Sequence, residues 1–223
     1  MKIVYVLLMP ILLFAHDIWI EKDRQNWTLH YGHLYLTKEH GGKKVMPYDP
    51  KSIINVICSN IGKVIKPQVN ESYPFVVKGG CDELFLLMDS GYFTKTPYGT
   101  KHLPKDEVKM AIKSWRSFES VKRVEKNSKK PISDDLEIVL LKKPESVGDK
   151  ARLQLFYHSK PIKDVVVAYD GKVRGTTDDD GKINIRIRHI GLQNIKATLR
   201  EPCKSGKCDE VVHTTALNFE VKE

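Results

Sequence analysis

Val165-Val166-Val167-Ala168-Tyr169-Asp170-Gly171, followed by Thr177-Asp178-Asp179-Asp180-Gly181-Lys182, is the stretch that decides the fold class. A short run of β-branched and aromatic residues closed by Asp-Gly, then a second Asp-Gly ahead of a new apolar run, is the pattern of strands joined by tight turns. Outward from it, Ala151 to Tyr157, Lys182 to Arg188, Asn194 to Leu199 and Ala216 to Val221 read as further strands. Turn signals separate them at close to the ~8–12-residue spacing of an antiparallel sandwich. Neither βαβ alternation nor a Gly-rich phosphate loop is present, which excludes the common nucleotide-binding architectures.

The first half carries the same signals. Apolar and polar residues alternate from His16 to Ile20 and from Trp27 to Leu36, with Asp23 to Asn26 as a polar turn, so the segment reads as a hairpin. By strand parity Leu29, Tyr31 and His33 share one face and His30 points to the other, with Gly32 a candidate bulge. His40-Gly41-Gly42 reads as a loop. Ser52 to Ser59, Phe75 to Val77 and Glu83 to Met88 read as strands, and Tyr92 to Gly99 as an aromatic loop rich in breakers. Val108, Ile112 and Trp115 recur at helical spacing, which predicts one short helix between Lys105 and Lys130 and a basic surface segment around Lys122 to Lys130. The expected fold class is all-β: two antiparallel β-sandwich modules, residues 16–145 and 146–223, with one short helix.

Ahead of the hairpin, Met1-Lys2 precedes an apolar run, Ile3 to Ala15, broken only by Pro10. One positive charge, a short apolar stretch and a small residue make a secretory signal over residues 1–15, and the run is shorter than the ~20 residues of a membrane span. Leu13 stands where an A-x-A cut has a small residue, and an uncleaved anchor or buried first strand is the competing reading. The implied fate is export from the cytoplasm.

The formal charge is +9. With Lys2 the leader's only charge, the mature chain keeps +8. The lysines are spread along the chain, and in an exported protein a solvated basic surface is a better reading than nucleic-acid binding. Four cysteines in an exported chain predict disulfides. Cys203 and Cys208 flank a Gly-containing tip, which would leave Cys58 for Cys81, although three pairings are formally open and a zinc site competes.

Lys160-Pro161 through Tyr169, then Thr177-Asp178-Asp179-Asp180-Gly181 and Gly191-Leu192-Gln193-Asn194-Ile195, resemble the transthyretin-like or carboxypeptidase-regulatory-like sandwich. Together with His16-Asp17-Ile18-Trp19-Ile20-Glu21, Tyr31-Gly32-His33 and Ser114-Trp115-Arg116, the chain resembles a periplasmic domain-of-unknown-function family that accompanies energy-coupling-factor nickel and cobalt transporters, NikK-like. That resemblance implies an extracytoplasmic metal-handling accessory with membrane transporter components as partners and Ni²⁺, or Co²⁺, as its ion. It points to His16 and His33.

The chemistry agrees with that implication. Cleavage after Ala15 would place a free α-amine and an imidazole on one residue, His16. These groups have ordinary pKa values of about 8 and 6.5, so both release protons to a metal at neutral pH. With another imidazole they form an all-nitrogen set suited to Ni²⁺ or Cu²⁺, and copper binds such sets more tightly than nickel. His33, on the returning arm, is the first candidate for that imidazole. His213 is the second, because it shares strand parity with Val211, Thr215, Leu217, Phe219 and Val221. His189 reads as a strand-end residue, His102 and His158 as surface groups, and Asp17 and Glu21 as weak oxygen ligands. G-x-S-x-G, H-E-x-x-H and a lone reactive cysteine are absent, so a non-enzymatic role is expected. The alternatives are a copper protein or oxidase with the same clamp, and a metal-free interaction sandwich.

Overall fold

The computed structural model describes residues 16–34 and 43–222; the leader and the His40-Gly41-Gly42 loop lie outside them. The strands are β1 (Asp17–Asp23), β2 (Asn26–His33), β3 (Lys44–Val45), β4 (Ile53–Asn60), β5 (Lys63–Ile65), β6 (Gln68–Asn70), β7 (Val76–Lys78), β8 (Glu83–Thr96) and β9 (Gly99–Lys101). They continue as β10 (Lys113–Val124), β11 (Glu137–Lys142), β12 (Lys150–Tyr157), β13 (Lys160–Pro161), β14 (Val166–Tyr169), β15 (Lys172–Thr176), β16 (Lys182–Arg186), β17 (Gly191–Pro202) and β18 (Glu210–Val221). The fold is all-β, with two single-turn 3₁₀ segments and no α-helix among the described residues, none long and apolar enough to cross a membrane.

A nine-stranded sheet in the order β15-β14-β17-β18-β10-β8-β4-β5, with β9 on β8, forms the backbone of the molecule. It takes strands from both sides of residue 145, because β18 lies parallel to β10, from Trp115 opposite Glu210 to Arg123 opposite Asn218. Two smaller sheets cover its opposite faces. The β1-β2-β7-β6 sheet buries Ile18, Ile20, Trp27 and Leu29 with Leu84, Leu86, Val121 and Ala216. The β11-β12-β13 sheet, with β16 on β12, buries Ile138, Leu140, Leu153 and Ile185 with Val167, Ile195, Leu217 and Phe219. Ala216 and Leu217 therefore belong to different cores, as period-two alternation requires of a strand packed on both faces.

Buried polar groups fasten both layers. On the hairpin side, Ile20 N donates to Asn218 Oδ1 (2.9 Å) and Arg123 Nη1 donates to Ile20 O (2.9 Å). On the other, fully buried Lys122 lies 2.7 Å from Glu137 and 2.5 Å from Glu83. Glu137 also accepts the backbone N–H groups of Ile132 and Ser133. Three expectations are corrected along this part of the chain. The segment read as a helix is strand β10, with only a 3₁₀ turn at Lys105–Glu107 before it. Ile112, one of the supposed helix-face residues, is 60% exposed, while alternate residues of β10 reach both cores. The basic surface segment likewise begins with two buried cations, Lys122 and Arg123. Nor is Tyr92 to Gly99 a loop: β8 runs through to Thr96 and turns into β9.

Both disulfides are present, Cys58–Cys81 and Cys203–Cys208, and no cysteine is free. The first joins the core under the hairpin; the second closes the β17–β18 turn.

Candidate metal centre

The β1–β2 register aligns Asp17 with Gly32, so His16 and His33 stand next to each other at the open end of the hairpin. Their ring centroids are 5.1 Å apart, and the Tyr31 ring lies at the same distance from His16. The Tyr31 hydroxyl and His16 Nδ1 are 3.0 Å apart. Gly32 makes this end possible: its φ is +141°, and a Cβ there would sit 2.1 Å from the Lys44 carbonyl oxygen of β3. Parity sends His30 away, where it stacks on Trp19 at 5.4 Å and lies 3.5 Å from Glu21.

Burial and nearby positive charge favour the neutral form of His16. Burial lowers its pKa from the usual imidazole value, the neighbouring His33 and Lys196 add to the fall, and Asp17 opposes them. The unprotonated ring is the form that ligates a metal. Burial also pushes the Tyr31 phenol far above its usual range, so at neutral pH it is a hydrogen-bonding group rather than a phenolate. Asp17 is committed elsewhere, accepting from Lys196 Nζ at 2.7 Å and Leu34 N at 3.0 Å. Glu21 accepts from Trp19 Nε1 at 2.9 Å and from Lys43. The weak oxygen ligands expected at Asp17 and Glu21 are thus occupied by protein donors.

His213 is not brought to this site. It lies on the opposite face of the central sheet, stacked on Phe118 at 5.5 Å, with Tyr157 Oη at 3.3 Å and Glu201 at 3.4 Å. His189 lies 3.2 Å from Asp170, His102 Nε2 is 2.6 Å from the Ser90 carbonyl, and His158 is 3.5 Å from Asp134. Among the described residues no group of three or more His, Cys, Asp or Glu side chains is placed to hold a metal ion. Side chains alone therefore supply two imidazoles, and a third nitrogen would have to be the α-amine that cleavage before His16 releases. Two imidazoles and one amine fit a borderline divalent ion and are a poor match for Ca²⁺ or Mg²⁺, which take oxygen.

Sequence reading missed the surroundings of this pair. A cavity of about 270 Å³ opens beside His16 and Tyr31, lined further by Phe93, Trp115, Glu119 and Arg200. The signal was present in Trp115, Ser117, Glu119 and Val121, an acidic residue within an apolar alternation, but the helical reading of that segment hid it.

No curated protein and no solved structure matches the chain. A family model described as a domain of unknown function, DUF4198, matches residues 13–201, from just before His16 into β17 and short of His213. The chain belongs to the DUF4198 family.

Proposed function

We propose that this chain is an exported metal-binding accessory of a nickel or cobalt uptake system, taking Ni²⁺ as cargo through His16 and passing it to membrane transporter components. The observation that carries the reading is the His16–His33 pair, two imidazoles 5.1 Å apart at the position where an apolar leader ends. His16 would contribute its ring and, once exposed, its α-amine; His33 would contribute a second ring. The lowered pKa of His16 supports this, since less proton competition means tighter binding near neutrality. Co²⁺ suits the same donors less well, and Cu²⁺ suits them better. Delivery to a dedicated transporter, rather than affinity, would then set the metal.

A second reading, a copper protein or oxidase using the same clamp, has one observation in its favour: the cavity beside His16 would give a substrate somewhere to sit. Calorimetric titration of the exported, processed protein with Ni²⁺, Co²⁺ and Cu²⁺ separates the readings. The nickel reading expects one ion per chain and a loss of roughly 10–100-fold in affinity in His33→Ala. Copper binding accompanied by redox turnover would favour the second reading, and no binding of any of the three ions would remove both.

A further inference from the structure

The cavity beside His16 carries charges of its own. Glu119 in its lining is 8% exposed and accepts a hydrogen bond from Ser90 Oγ at 2.7 Å. Among the described residues no cation lies within ion-pair distance of it; Lys196, the nearest positive influence, is held by Asp17. Burial raises the pKa of Glu119 above the usual carboxylate range, with Ser90 and Lys196 opposing the rise. A buried carboxylate in this state is stabilised by any cationic group that enters beside it.

Arg200 supplies the opposite charge. In the sheet register Arg200 aligns with Val212 and then Ser117, while Thr198 aligns with Thr214 and then Glu119. Arg200 and Glu119 are thus two strands and two residues apart on one face, roughly 12 Å at Cα by ordinary sheet spacings. Glu210 pairs with Arg200 but also with Lys113 at 3.1 Å, so one carboxylate faces two cations and that end keeps a positive excess. Between the ends lie Ser117, Val212 and Thr214, and to one side stands an apolar wall, Phe93 stacked on Trp115 at 5.6 Å. A simple amine would be attracted to Glu119 and repelled by Arg200; a simple carboxylate would meet the reverse.

We propose that this cavity binds a small zwitterion of the amino-acid class, its ammonium toward Glu119, its carboxylate toward Arg200 and its body over Val212 and Thr214 beside the Trp115–Phe93 wall. At about 270 Å³ the space lies just below the ~300 Å³ at which clefts for drug-sized ligands begin, which sets the occupant's size. His16 borders the cavity but supplies none of these groups, so the occupant does not depend on the choice of metal.

The test uses the processed full-length protein, freed of metal by a chelator, in calorimetry with α- and ω-amino acids. Matched amines and carboxylic acids, each lacking one charge, are the controls. Zwitterions are expected to bind about tenfold or more tightly than either control, because each control makes one of the two charge contacts and is repelled at the other end. Glu119→Gln should abolish the preference over the carboxylic acid and Arg200→Gln the preference over the amine, with near-ultraviolet dichroism unchanged in both. No zwitterion binding at millimolar concentration, equal affinity for the controls, or indifference to both substitutions would overturn the proposal. Binding seen only after metal is restored would overturn it too, since the ligand would then be a chelate held by His16. Loss of nickel binding with zwitterion binding intact would sink the metal reading and leave this one standing.

Discussion

Two histidine clusters lie on opposite faces of the same sheet, and they differ in what surrounds the imidazole. His16 sits beside His33, Tyr31 and Lys196, with Asp17 as an acidic neighbour whose carboxylate is turned to other donors. His213 sits among Tyr157, Glu201 and Asp135. Burial lowers the pKa of both, but the nearby charges act in opposite directions: cations deepen the fall at His16, and Glu201 and Asp135 offset it at His213. An imidazole kept neutral next to another imidazole is poised to ligate; one embedded among carboxylates and a phenol is already satisfied. Strand parity alone separates the two, since Val212 and Thr214 line the His16 cavity while His213 between them faces away.

The largest effect expected from breaking this arrangement is structural and falls on the His213 face. Glu137→Ala leaves Lys122 buried with only Glu83 as a carboxylate partner, and losing one member of a buried charge pair costs about 3–5 kcal/mol in denaturant unfolding. Asn218→Ala on the hairpin face removes the acceptor of Ile20 N and should cost less, about 1–3 kcal/mol. If the two variants were equally stable, the buried ion cluster would not be the stronger of the two fastenings.

The next effect sharpens the contrast between the histidines. His213→Ala should leave nickel affinity within about twofold of the parent, because no ligand is lost, whereas His33→Ala weakens it by roughly 10–100-fold. Calorimetry on the pair reads this directly. Equal losses would mean that the sheet does not separate the clusters functionally.

The smallest effect is on pH dependence. His16 and His213 have lowered folded-state pKa values, so below the unfolded value of 6.5 the unfolded chain binds more protons than the folded one. Their contribution to stability is complete above that pH and is lost as the pH falls from 6.5 toward the folded values. Glu119 acts with the opposite sign, because its raised pKa makes the folded state the better proton binder above 4.5. Histidine NMR titration should place both imidazole midpoints below 6.5; a midpoint above it for His16 would contradict the neutral-ligand picture.

Much of this was legible from local pattern. The Asp-Gly turns, the opening hairpin, and the parity that puts Leu29, Tyr31 and His33 on one face depend on neighbours within a few residues, and the structure shows them as read. The pairings Cys58–Cys81 and Cys203–Cys208 were one choice among three and are the ones formed. What escaped depends on distant partners. Lys122 and Arg123 read as a basic surface because Glu137 and Glu220 are far along the chain. Without those partners β10, flanked on one side by β8 and on the other by the last strand of the chain, matched a helical template better than a central strand. The cavity escaped for the same reason, since Glu119 and Arg200 come to line one cavity through the parallel pairing of β10 with β18. His213 was correctly assigned to the inward face with Leu217 and Phe219, but which way inward pointed relative to His16 required the third layer.

The account turns on the α-amine of His16. Nickel titration of two otherwise identical chains, one beginning at His16 and one with a single alanine ahead of it, tests it most directly. The account predicts that the extra residue removes the amine–imidazole chelate and weakens binding by about a hundredfold or more, with the fold unchanged. Equal affinity in the two chains would contradict it.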